Sequence, residues 1–520
     1  MRKIKKFILI NITFLCVLFI AFLSCSKAEK PVETVNLQES KKTAEIITAD
    51  LSLIHFNDFH AALRKTRKTD AADMPELGGA GVLGGYLKKL RNENINSVVL
   101  FAGDMIQKTP LEEATKAESL IDIFNIFSPD AATLGNHEFD YGREHLEYLL
   151  TKIKFPIVSA NLFDAESGKS LVPEYCVIET KNKVKILVIG LYPVSGKKYA
   201  EDDFNVKIKN PLEIVKKIAK QKDSEVDLTV VLSHLGIDDD IKLSEELTEK
   251  SEVDLIVGGH SHTLIEEIDK NLPIPVIQTY SNGYYLGKAD ITADLTNNKI
   301  VKLDYKIITT YAKDVEPVKE IEDIVENEMK KMPELFKTIA KTGEPLGHET
   351  RTGETSLGNF SVDALVDIFK TDMAFMNSKS IRNSIPGPEI CSNDIIEAFP
   401  FEGGIYKIKM SGENIVKMIE YYYNKKKDRQ LFVPYNVFYT YSISKSGKVK
   451  ISEVLFKGKE IKQSKLYTAV TDERTASECE RYYEAENLGK IAENLGDEYI
   501  KYLKKIKTYK PYKSGRFEIQ

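Results

Sequence analysis

The strongest constraint on the fold of this chain is an arrangement repeated through its first half. A short apolar run is followed by a polar turn and then by a stretch of helical character. The apolar runs are Leu51–Phe56, Val98–Ala102, Ala131–Leu134, Ile186–Leu191, Leu228–Leu232 and Leu255–Val257. Continuous apolar runs of this length are typical of strands buried on both faces. The first half is therefore predicted to be an α/β domain.

Short polar clusters follow five of these runs and contain five of the eight histidines of the chain. The clusters are Asn57–His60, Gly103–Asp104, Gly135–Asp140, Ser233–His234 and Gly258–His262. Loops at the carboxyl ends of strands are where α/β sheets bind their ligands. Glycines in such loops let the backbone turn sharply and approach an ion or a substrate. We therefore expect the five clusters to converge on one crevice.

The order of the clusters, D-x-H, G-D, G-N-H-[DE], H and G-H-x-H, resembles the calcineurin-like metallophosphoesterases from Leu51 to about Asp290. The resemblance implies a β-sandwich flanked by helices, with two divalent metal ions bound at one edge. It also implies that one ion is held by Asp58, His60, Asp104 and His262, and the other by Asp104, Asn136, His234 and His260. A ligand set of Asp, Asn and His without Cys suits zinc, manganese or ferrous iron.

The charge balance of such a site predicts what it would attract. Two divalent ions contribute a charge of about +4, while the carboxylates of Asp58 and Asp104 contribute about −2. The remaining charge of about +2 suits a phosphate dianion. Two ions a few Å apart can also bind one water between them and lower its pKa to near neutrality, which prepares it for in-line attack on phosphorus. The pattern therefore predicts hydrolysis of phosphate esters.

Two further residues of the third cluster are candidates for catalysis. His137 follows the implied ligand Asn136 and is expected to stabilise the transition state and to help the leaving oxygen depart. Asp140 lies three residues further on and is expected to hold the imidazole in one tautomer; the alternative for Asp140 is a residue that starts a helix. The remaining histidines match no motif and are expected to be structural: His55, His145 and His348.

The pattern changes after Asp290. Residues 318–332 are charged, with apolar side chains at helical spacing between Pro317 and Pro333, which predicts a helix connecting two domains. Later segments resemble the C-terminal domain of bacterial and animal 5′-nucleotidases, namely Glu354–Asn359, Asn377–Arg382 and Pro400–Gly404. In that family the domain binds the nucleotide and moves it onto the metals.

Three residues of this second domain are candidates for substrate binding. Arg382 matches the phosphate-binding arginine of the family, and a guanidinium group suits that role. Asn377 and Phe401 match residues that contact the base, Phe401 by stacking. An ordinary surface or core role is the alternative for all three.

Two features depart from the family pattern. Side chains at residues 378–380 replace glycines, and the late Gly-Gly-Asp-Gly-aromatic loop, which supplies the other face of the base sandwich, is missing from Thr471–Tyr483. Tyr482 or Tyr483 is the nearest substitute for that aromatic residue. Base recognition is therefore less defined than hydrolysis.

The N-terminus has the layout of a bacterial export signal, with a cationic start followed by an apolar run that ends at Leu23. The small residue Ser24 before Cys25 resembles a lipobox, which implies a lipid anchor on Cys25 and a periplasmic or cell-surface location. A single membrane-spanning anchor is the alternative. The polar stretch that follows is expected to be a flexible tether.

Composition limits the remaining possibilities. Beyond Cys16 and Cys25, the cysteines are Cys176, Cys391 and Cys479, an odd number that does not make a disulfide framework. The net charge of −5 indicates no nucleic-acid groove, so nucleic-acid binding is not expected. The length predicts two domains. The predicted organisation is a signal at 1–24, a tether at 25–49, a metallophosphoesterase domain at 50–312, a linker helix at 313–342 and a mixed α/β substrate-binding domain at 343–520.

The whole pattern resembles a lipoprotein form of the bacterial 5′-nucleotidase and UDP-sugar hydrolase family. It predicts an exported two-metal phosphohydrolase that converts nucleoside monophosphates to nucleoside and phosphate. The first alternative is a related enzyme acting on a 2′,3′-cyclic nucleotide, a UDP-sugar or another phosphomonoester. The second alternative is a surface lipoprotein that binds a ligand and has lost catalysis. The oligomeric state stays open.

Overall fold

The computed structural model describes residues 46–67, 73–195, 197–248, 252–348, 353–400, 403–425, 430–511 and 515–519. The predicted signal, Cys25, the tether as far as residue 45, and Phe401 lie outside these residues. Among the helices of the described ranges, none is long and apolar enough to cross a bilayer.

Two sheets form the centre of the first half. The first has six strands in the spatial order Lys299–Thr309, Tyr285–Asp294, Thr48–Phe56, Ser97–Phe101, Ala131–Thr133 and Ile157–Val158. The second has five strands in the order Val276–Ile277, Leu255–Val257, Leu228–Ser233, Lys185–Leu191 and Tyr175–Glu179. All six predicted apolar runs form strands, because each supplies buried side chains to both faces of its sheet.

The inner faces of the two sheets share one buried core. Leu53 and Leu100 of the first sheet and Val188 and Leu232 of the second belong to it. The outer face of the first sheet is covered by the helices Ala80–Glu93, Glu118–Phe127, Arg143–Leu150 and Lys319–Lys331. The outer face of the second is covered by Pro211–Lys222 and Ile237–Leu247. This arrangement confirms the predicted sandwich flanked by helices.

Parallel pairing places the polar clusters at one edge of the sandwich. In the first sheet Phe56 pairs with Phe101, and Phe101 pairs with Ala132. In the second, Leu232 pairs with Val257. Because paired parallel strands end at the same edge, the loops that follow them lie side by side.

Smaller elements complete the first half. Four short strands of its described residues form two antiparallel pairs, Thr66–Arg67 with Glu76–Leu77 and Leu162–Asp164 with Val206–Ile208. The remaining helices are Pro110–Glu113 and Lys197–Phe204 and the 3-10 turns His137–Phe139, Asp223–Glu225, Ala312–Asp314 and Pro333–Phe336.

The charged segment 318–332 forms the helix Lys319–Lys331. Its residues Ile321 and Val325 are buried in the core on the outer face of the first sheet. The short helix Pro333–Phe336 follows, and the strand Thr338–Thr342 then begins the second half. The helix therefore connects the two halves while it packs on the first.

The second half is a mixed α/β arrangement around two cores. Its sheets, each in spatial order, are Glu389–Cys391, Thr338–Thr342 and Thr508–Tyr509; Met373–Ala374, Leu466–Asp472, Ile405–Ser411 and Glu486–Ala492; Met376–Asn377 and Leu431–Phe432; and Lys459–Glu460, Val449–Phe456, Val437–Ile443 and Phe517–Ile519. Its helices are Ser356–Phe369, Ser392–Ala398, Gly412–Lys425, Glu473–Tyr483 and Leu495–Ile506, with a 3-10 turn at Ser378–Ser380.

The boundaries of two second-half elements follow from local chemistry. The helix Ser356–Phe369 begins after Thr355, whose side chain accepts a hydrogen bond from the backbone of Gly358. Pro434 separates the strands Leu431–Phe432 and Val437–Ile443, because proline has no N–H to donate to a neighbouring strand.

Candidate active site

The five strand-end loops bring six of the seven predicted metal ligands into three overlapping groups. Within each group the candidate ligand atoms lie within 4.8 Å of one another. The groups are Asp58, His60 and His262; Asp104, His234 and His260; and His60, Asp104 and His137. Asp104 belongs to two of them, and the third includes His137, which the sequence placed beside the metals rather than on them. The clusters therefore converge as predicted from the strand order.

Close distances within these groups define the centre of the site. Nε2 of His262 lies 3.1 Å from Oδ1 of Asp58 and 2.9 Å from Nε2 of His60. Nε2 of His234 lies 3.0 Å from Oδ2 of Asp104. Nε2 of His60 lies 3.8 Å from Oδ2 of Asp104, which places the two groups side by side.

The backbone at this edge is strained. Five of the predicted ligands have a positive φ, between 50° and 71°: Asp58, His60, Asp104, His260 and His262. Non-glycine residues rarely adopt this region, and each such residue costs on the order of 1–3 kcal/mol. Backbone strain at five residues whose side chains converge is typical of a functional site.

Glycines allow the loops to approach one another. A Cβ on Gly259 would lie 2.8 Å from Nδ1 of His234, and a Cβ on Gly135 would lie 2.7 Å from Nε2 of the same ring. A side chain at either position would displace His234, so the glycines are required by close packing.

Two histidines are held with one ring nitrogen toward the centre. Nδ1 of His234 lies 2.5 Å from the carbonyl oxygen of Ala102, and Nδ1 of His60 lies 3.3 Å from that of Ile106. A ring that donates its Nδ1 proton to a carbonyl keeps a lone pair on Nε2. Both Nε2 atoms therefore face the centre, where each can bind a metal ion once it carries no proton.

Buried polar atoms at the centre support a cation. Within the described residues, the buried Oδ1 of Asn136 makes no hydrogen bond, and Oδ1 of Asp58 and Nε2 of His234 are buried against other candidate ligands, 3.1 Å from Nε2 of His262 and 3.0 Å from Oδ2 of Asp104. Such atoms are costly to bury unless an ion or water satisfies them. An amide oxygen, a carboxylate oxygen and an imidazole nitrogen are suitable ligand atoms for a divalent transition metal, so these residues fit a metal ion of that kind.

The pKa values reflect the negative charge that the buried carboxylates of Asp104 and Asp58 bring to the centre. Burial alone would lower the pKa of His234, but the neighbouring carboxylate of Asp104 raises it to about 10. Burial would raise the pKa of Asp58, but His262 and His60 hold it well below its usual value. Burial lowers the pKa of His60 and of His260 to about 4, which leaves both neutral at pH 7.

Glu138 holds two of the ligand loops together. Its carboxylate accepts hydrogen bonds from the backbone N–H groups of Asp104 (3.1 Å), Met105 (2.6 Å) and Gly135 (2.5 Å). Sequence reasoning assigned no role to Glu138. The available signal was its place at the acidic position of the G-N-H-[DE] motif, but two of its three partners, Asp104 and Met105, lie 34 and 33 residues earlier, so the motif did not reveal these contacts.

Hydrogen bonds from Asn57 and from the backbone of His260 orient the carboxylate of Asp58. The amide of Asn57 donates to Oδ2 of Asp58 at 2.6 Å and accepts from the backbone of Thr279 at 3.0 Å. The same carboxylate oxygen accepts from the backbone of His260 at 2.9 Å. Hydrogen-bonded carboxylates of this kind keep a fixed geometry.

The structure places His137 and Asp140 together at the rim of the centre. Nδ1 of His137 lies 2.8 Å from Oδ2 of Asp140, and the backbone N–H of His137 donates to Oδ1 of Asp104 at 2.9 Å. Burial would lower the pKa of His137, but Asp104 and Asp140 raise it. This arrangement leaves Nε2 of His137 facing the centre.

Arg382 reaches the centre from the second half of the chain. Its Nη2 lies 3.3 Å from Nε2 of His60 and 3.5 Å from Nε2 of His137, and its Nε donates to Oε1 of Gln107 at 3.2 Å. Nearby, Arg64 pairs with Asp394 of the second half at 2.8 Å. The two halves therefore meet at the candidate metal centre.

Asn377 lines a separate cavity of about 350 Å³ in the second half. The other lining residues are Lys379, Ser380, Phe399, Gly403, Asp472, Glu473, Arg474 and Leu495. Tyr482 and Tyr483 are not among them, because the segment forms the helix Glu473–Tyr483 rather than a loop. Tyr482 is instead 61% exposed, and Tyr483 is buried against Tyr421.

The three histidines outside the clusters have ordinary hydrogen bonds. Nε2 of His55 lies 3.2 Å from the hydroxyl of Tyr305, and burial lowers the pKa of His55 to about 3. His145 lies 2.7 Å from the carbonyl oxygen of Lys116, and His348 lies 3.1 Å from that of Ser378.

Comparisons with known proteins agree with this geometry. Residues 51–264 match the calcineurin-like phosphoesterase family, and residues 338–485 match the 5′-nucleotidase C-terminal domain. The chain is 30% identical to an apyrase of Anopheles gambiae over 71% of each protein. It is 25% identical to a 5′-nucleotidase of Vibrio cholerae over 81% of this chain and 83% of that one.

A solved structure has the same fold. The 5′-nucleotidase precursor of Thermus thermophilus superposes with a TM-score of 0.72 at 23% identity, covering 91% of this chain and 99% of that one. Enzymes of the calcineurin-like family use divalent metals. The chain belongs to the family of 5′-nucleotidase-like and apyrase-like metallophosphoesterases and is a metal-dependent phosphoester hydrolase.

Proposed function

We propose that the chain is an exported two-metal 5′-nucleotidase that hydrolyses nucleoside monophosphates to nucleoside and phosphate. The observation that carries the proposal is the meeting of Arg382, from the second half, with the candidate ligand His60 and with His137. A cationic fork over a buried histidine and carboxylate cluster suits a phosphate ester. The names of the relatives, 5′-nucleotidase and apyrase, support a nucleotide as the substrate.

Two overlapping ligand sets hold the ions in this proposal. The first comprises Asp58, His60, Asp104 and His262, and the second comprises Asp104, Asn136, His234 and His260. The unpaired Oδ1 of Asn136 supports its place in the second set. When bound, a pair of divalent ions supplies an activated water and positive charge to the reacting phosphate. Zinc and manganese both suit these ligands.

His137 acts on the substrate side of the site. Its Nδ1 is engaged by Asp140, so the imidazole presents Nε2 to the phosphoryl group and to the leaving oxygen. With its Nδ1 held by Asp140, the protonated ring can stabilise developing negative charge and donate the proton on Nε2 to the leaving alkoxide. Asp140 is the positioning residue for this ring.

Arg382 binds the phosphoryl group, and Asn377 and Phe401 face the nucleoside. Asn377 lines the cavity of about 350 Å³, a volume within the range of small-molecule sites. Phe401 lies outside the described residues, and its role is proposed from the family resemblance alone.

The second candidate function is hydrolysis of a chemically related substrate. Neither Tyr482 nor Tyr483 lines the cavity, so the second face of a base sandwich has no tyrosine from this helix. That observation favours a phosphomonoester without a base, while a 2′,3′-cyclic nucleotide and a UDP-sugar, which both carry a base, are the other substrates of this second candidate. The metal centre serves all three in the same way.

The N-terminal segment carries the proposal for location. We infer cleavage before Cys25, a lipid on its thiol, and a periplasmic or cell-surface protein joined to the membrane by the tether. Labelling with radioactive palmitate in a bacterial host should mark the wild type and not the Cys25→Ser variant. Equal labelling of both would reject the anchor without affecting the enzymatic proposal.

A phosphate-release panel tests the substrate. The chain from residue 26 onward, loaded with Mn²⁺ or Zn²⁺, is assayed with AMP, UMP, 2′,3′-cyclic AMP, UDP-glucose and p-nitrophenyl phosphate, with and without chelator. Preference for the nucleoside monophosphates supports the leading proposal. Turnover of only the simple ester, the cyclic nucleotide or the UDP-sugar supports the second candidate, and silence on all five rejects both.

A further inference from the structure

We propose that Gln107 is a positioning residue that orients the guanidinium of Arg382 toward the phosphate of the substrate. The inference rests on the proposed function of Arg382. Oε1 of Gln107 accepts a hydrogen bond from Nε of Arg382 at 3.2 Å. Because the guanidinium is planar, fixing Nε also fixes the direction of the two terminal nitrogens. Nη2 then lies 3.3 Å from Nε2 of His60, at the edge of the candidate metal centre.

Gln107 is itself held firmly. It is 6% exposed, and its backbone N–H donates to Oε2 of Glu112 at 2.9 Å. Glu112 is fully buried and also accepts from the backbone of Thr109 at 3.4 Å. One residue earlier, the carbonyl oxygen of Ile106 lies 3.3 Å from Nδ1 of His60. The loop that carries Gln107 is thus tied to the same histidine that Arg382 approaches.

The backbone of Arg382 is held by different partners. Its N–H donates to the carbonyl oxygen of Ala398 at 2.9 Å, and the next residue, Asn383, accepts a hydrogen bond from the hydroxyl of Tyr284. Ala398 of the second half and Tyr284 of the first half therefore hold the backbone around Arg382, while Gln107 of the first half fixes the direction of its guanidinium.

An amide suits this task better than a carboxylate. A neutral oxygen can accept from the guanidinium and leave its full positive charge for the phosphate. A carboxylate at the same place would pair with Arg382 and compete with the anionic substrate. The substitution Gln107→Glu therefore separates a role in orientation and charge from a role in packing.

The experiment measures binding of inorganic phosphate to the metal-loaded protein by calorimetry, so its readout does not depend on turnover. The variants are Gln107→Ala, Gln107→Glu, Arg382→Ala and the double variant Gln107→Ala with Arg382→Ala. Gln107→Ala should weaken phosphate binding by about 3- to 10-fold, the usual effect of one lost hydrogen bond. It should add nothing once Arg382 is alanine. Gln107→Glu should bind phosphate more weakly than wild type, although the contact with Arg382 is kept.

Two controls make the result decisive. Gln221, exposed on the helix Pro211–Lys222, supplies the matched variant Gln221→Ala, which should bind phosphate like the wild type. Metal content and circular dichroism report whether each variant is loaded and folded, and Gln107→Glu retains the side-chain shape if Gln107→Ala does not fold.

An undiminished effect of Gln107→Ala in the Arg382→Ala background would overturn the inference. Wild-type binding by Gln107→Glu would overturn it as well. Either result leaves the proposed function standing if the wild type still releases phosphate from nucleotides. A wild type that releases none rejects the proposed function by a separate assay.

Discussion

The candidate metal centre and the cavity lined by Asn377 are built in different ways. The metal centre is made of short loops that follow parallel strands, and each loop carries its ligand within five residues of the strand end. The cavity is made of segments far apart in the second half, including the start of the helix Glu473–Tyr483. The sheet fixes the geometry of a site at its strand ends, whereas the shape of a cavity between packed segments depends on the side chains of every segment that lines it. We therefore assign the chemistry to the metal centre, the first region, and the choice of substrate to the cavity, the second region.

The largest expected effect comes from removing the carboxylate shared by both ligand sets. Asp104→Ala should lower kcat/KM by at least about 10⁴-fold, since the ions supply most of an acceleration that in enzymes is about 10⁶-fold or more. Phosphate release from AMP measures it, and elemental analysis should show loss of metal. A variant that keeps both its metal and its activity would show that chemistry does not reside in the first region.

The next effect distinguishes a catalytic histidine from a ligand. His137→Ala should lower kcat by about 10²- to 10⁴-fold while the metal content stays nearly unchanged. The test matters because His137 lies within 4.8 Å of candidate ligand atoms of His60 and Asp104. Loss of metal in this variant would make His137 a ligand and would move it from the substrate side to the metal side of the site. His145→Ala, outside the clusters, serves as the control and should retain activity.

The smallest effect probes the cavity. Asn377→Ala should raise KM for AMP by about 3- to 10-fold, the effect of one lost hydrogen bond, and leave KM for p-nitrophenyl phosphate unchanged. Steady-state kinetics on the two substrates measures the difference. Tyr482→Ala is the matched comparison, because this side chain lies outside the cavity and should change neither value. Equal losses on both substrates in Asn377→Ala would mean that the cavity does not bind the nucleoside.

The first region could be predicted largely from the sequence. Apolar runs of Val, Ile and Leu define buried strands, and parallel strands bring their following loops to one edge, so the order of the clusters was sufficient to expect convergence. The supporting residues could not be predicted in the same way. Glu138 and Asn57 act by hydrogen bonds to backbone groups, about 30 residues away for Glu138 and more than 200 for Asn57, and such partners leave no spacing in the sequence.

The second region was harder to predict for a physical reason. Tyr482 and Tyr483 were the nearest aromatic residues to the missing loop, but the side chain of Asp472 accepts a hydrogen bond from the backbone of Thr475 and starts a helix there. The helix carries both tyrosines away from the cavity. Gln107 was likewise not anticipated, because its partner Arg382 is 275 residues away along the chain.

The central claim is that the convergent loops bind a pair of transition-metal ions around Asp104. Elemental analysis of the purified chain, stripped with chelator, reloaded with Mn²⁺ or Zn²⁺ and desalted, tests it most directly. We expect two ions per chain in the wild type and a lower content in Asp104→Ala. A wild type that retains no ion would contradict it, as would a wild type with one ion that is unaffected by Asp104→Ala.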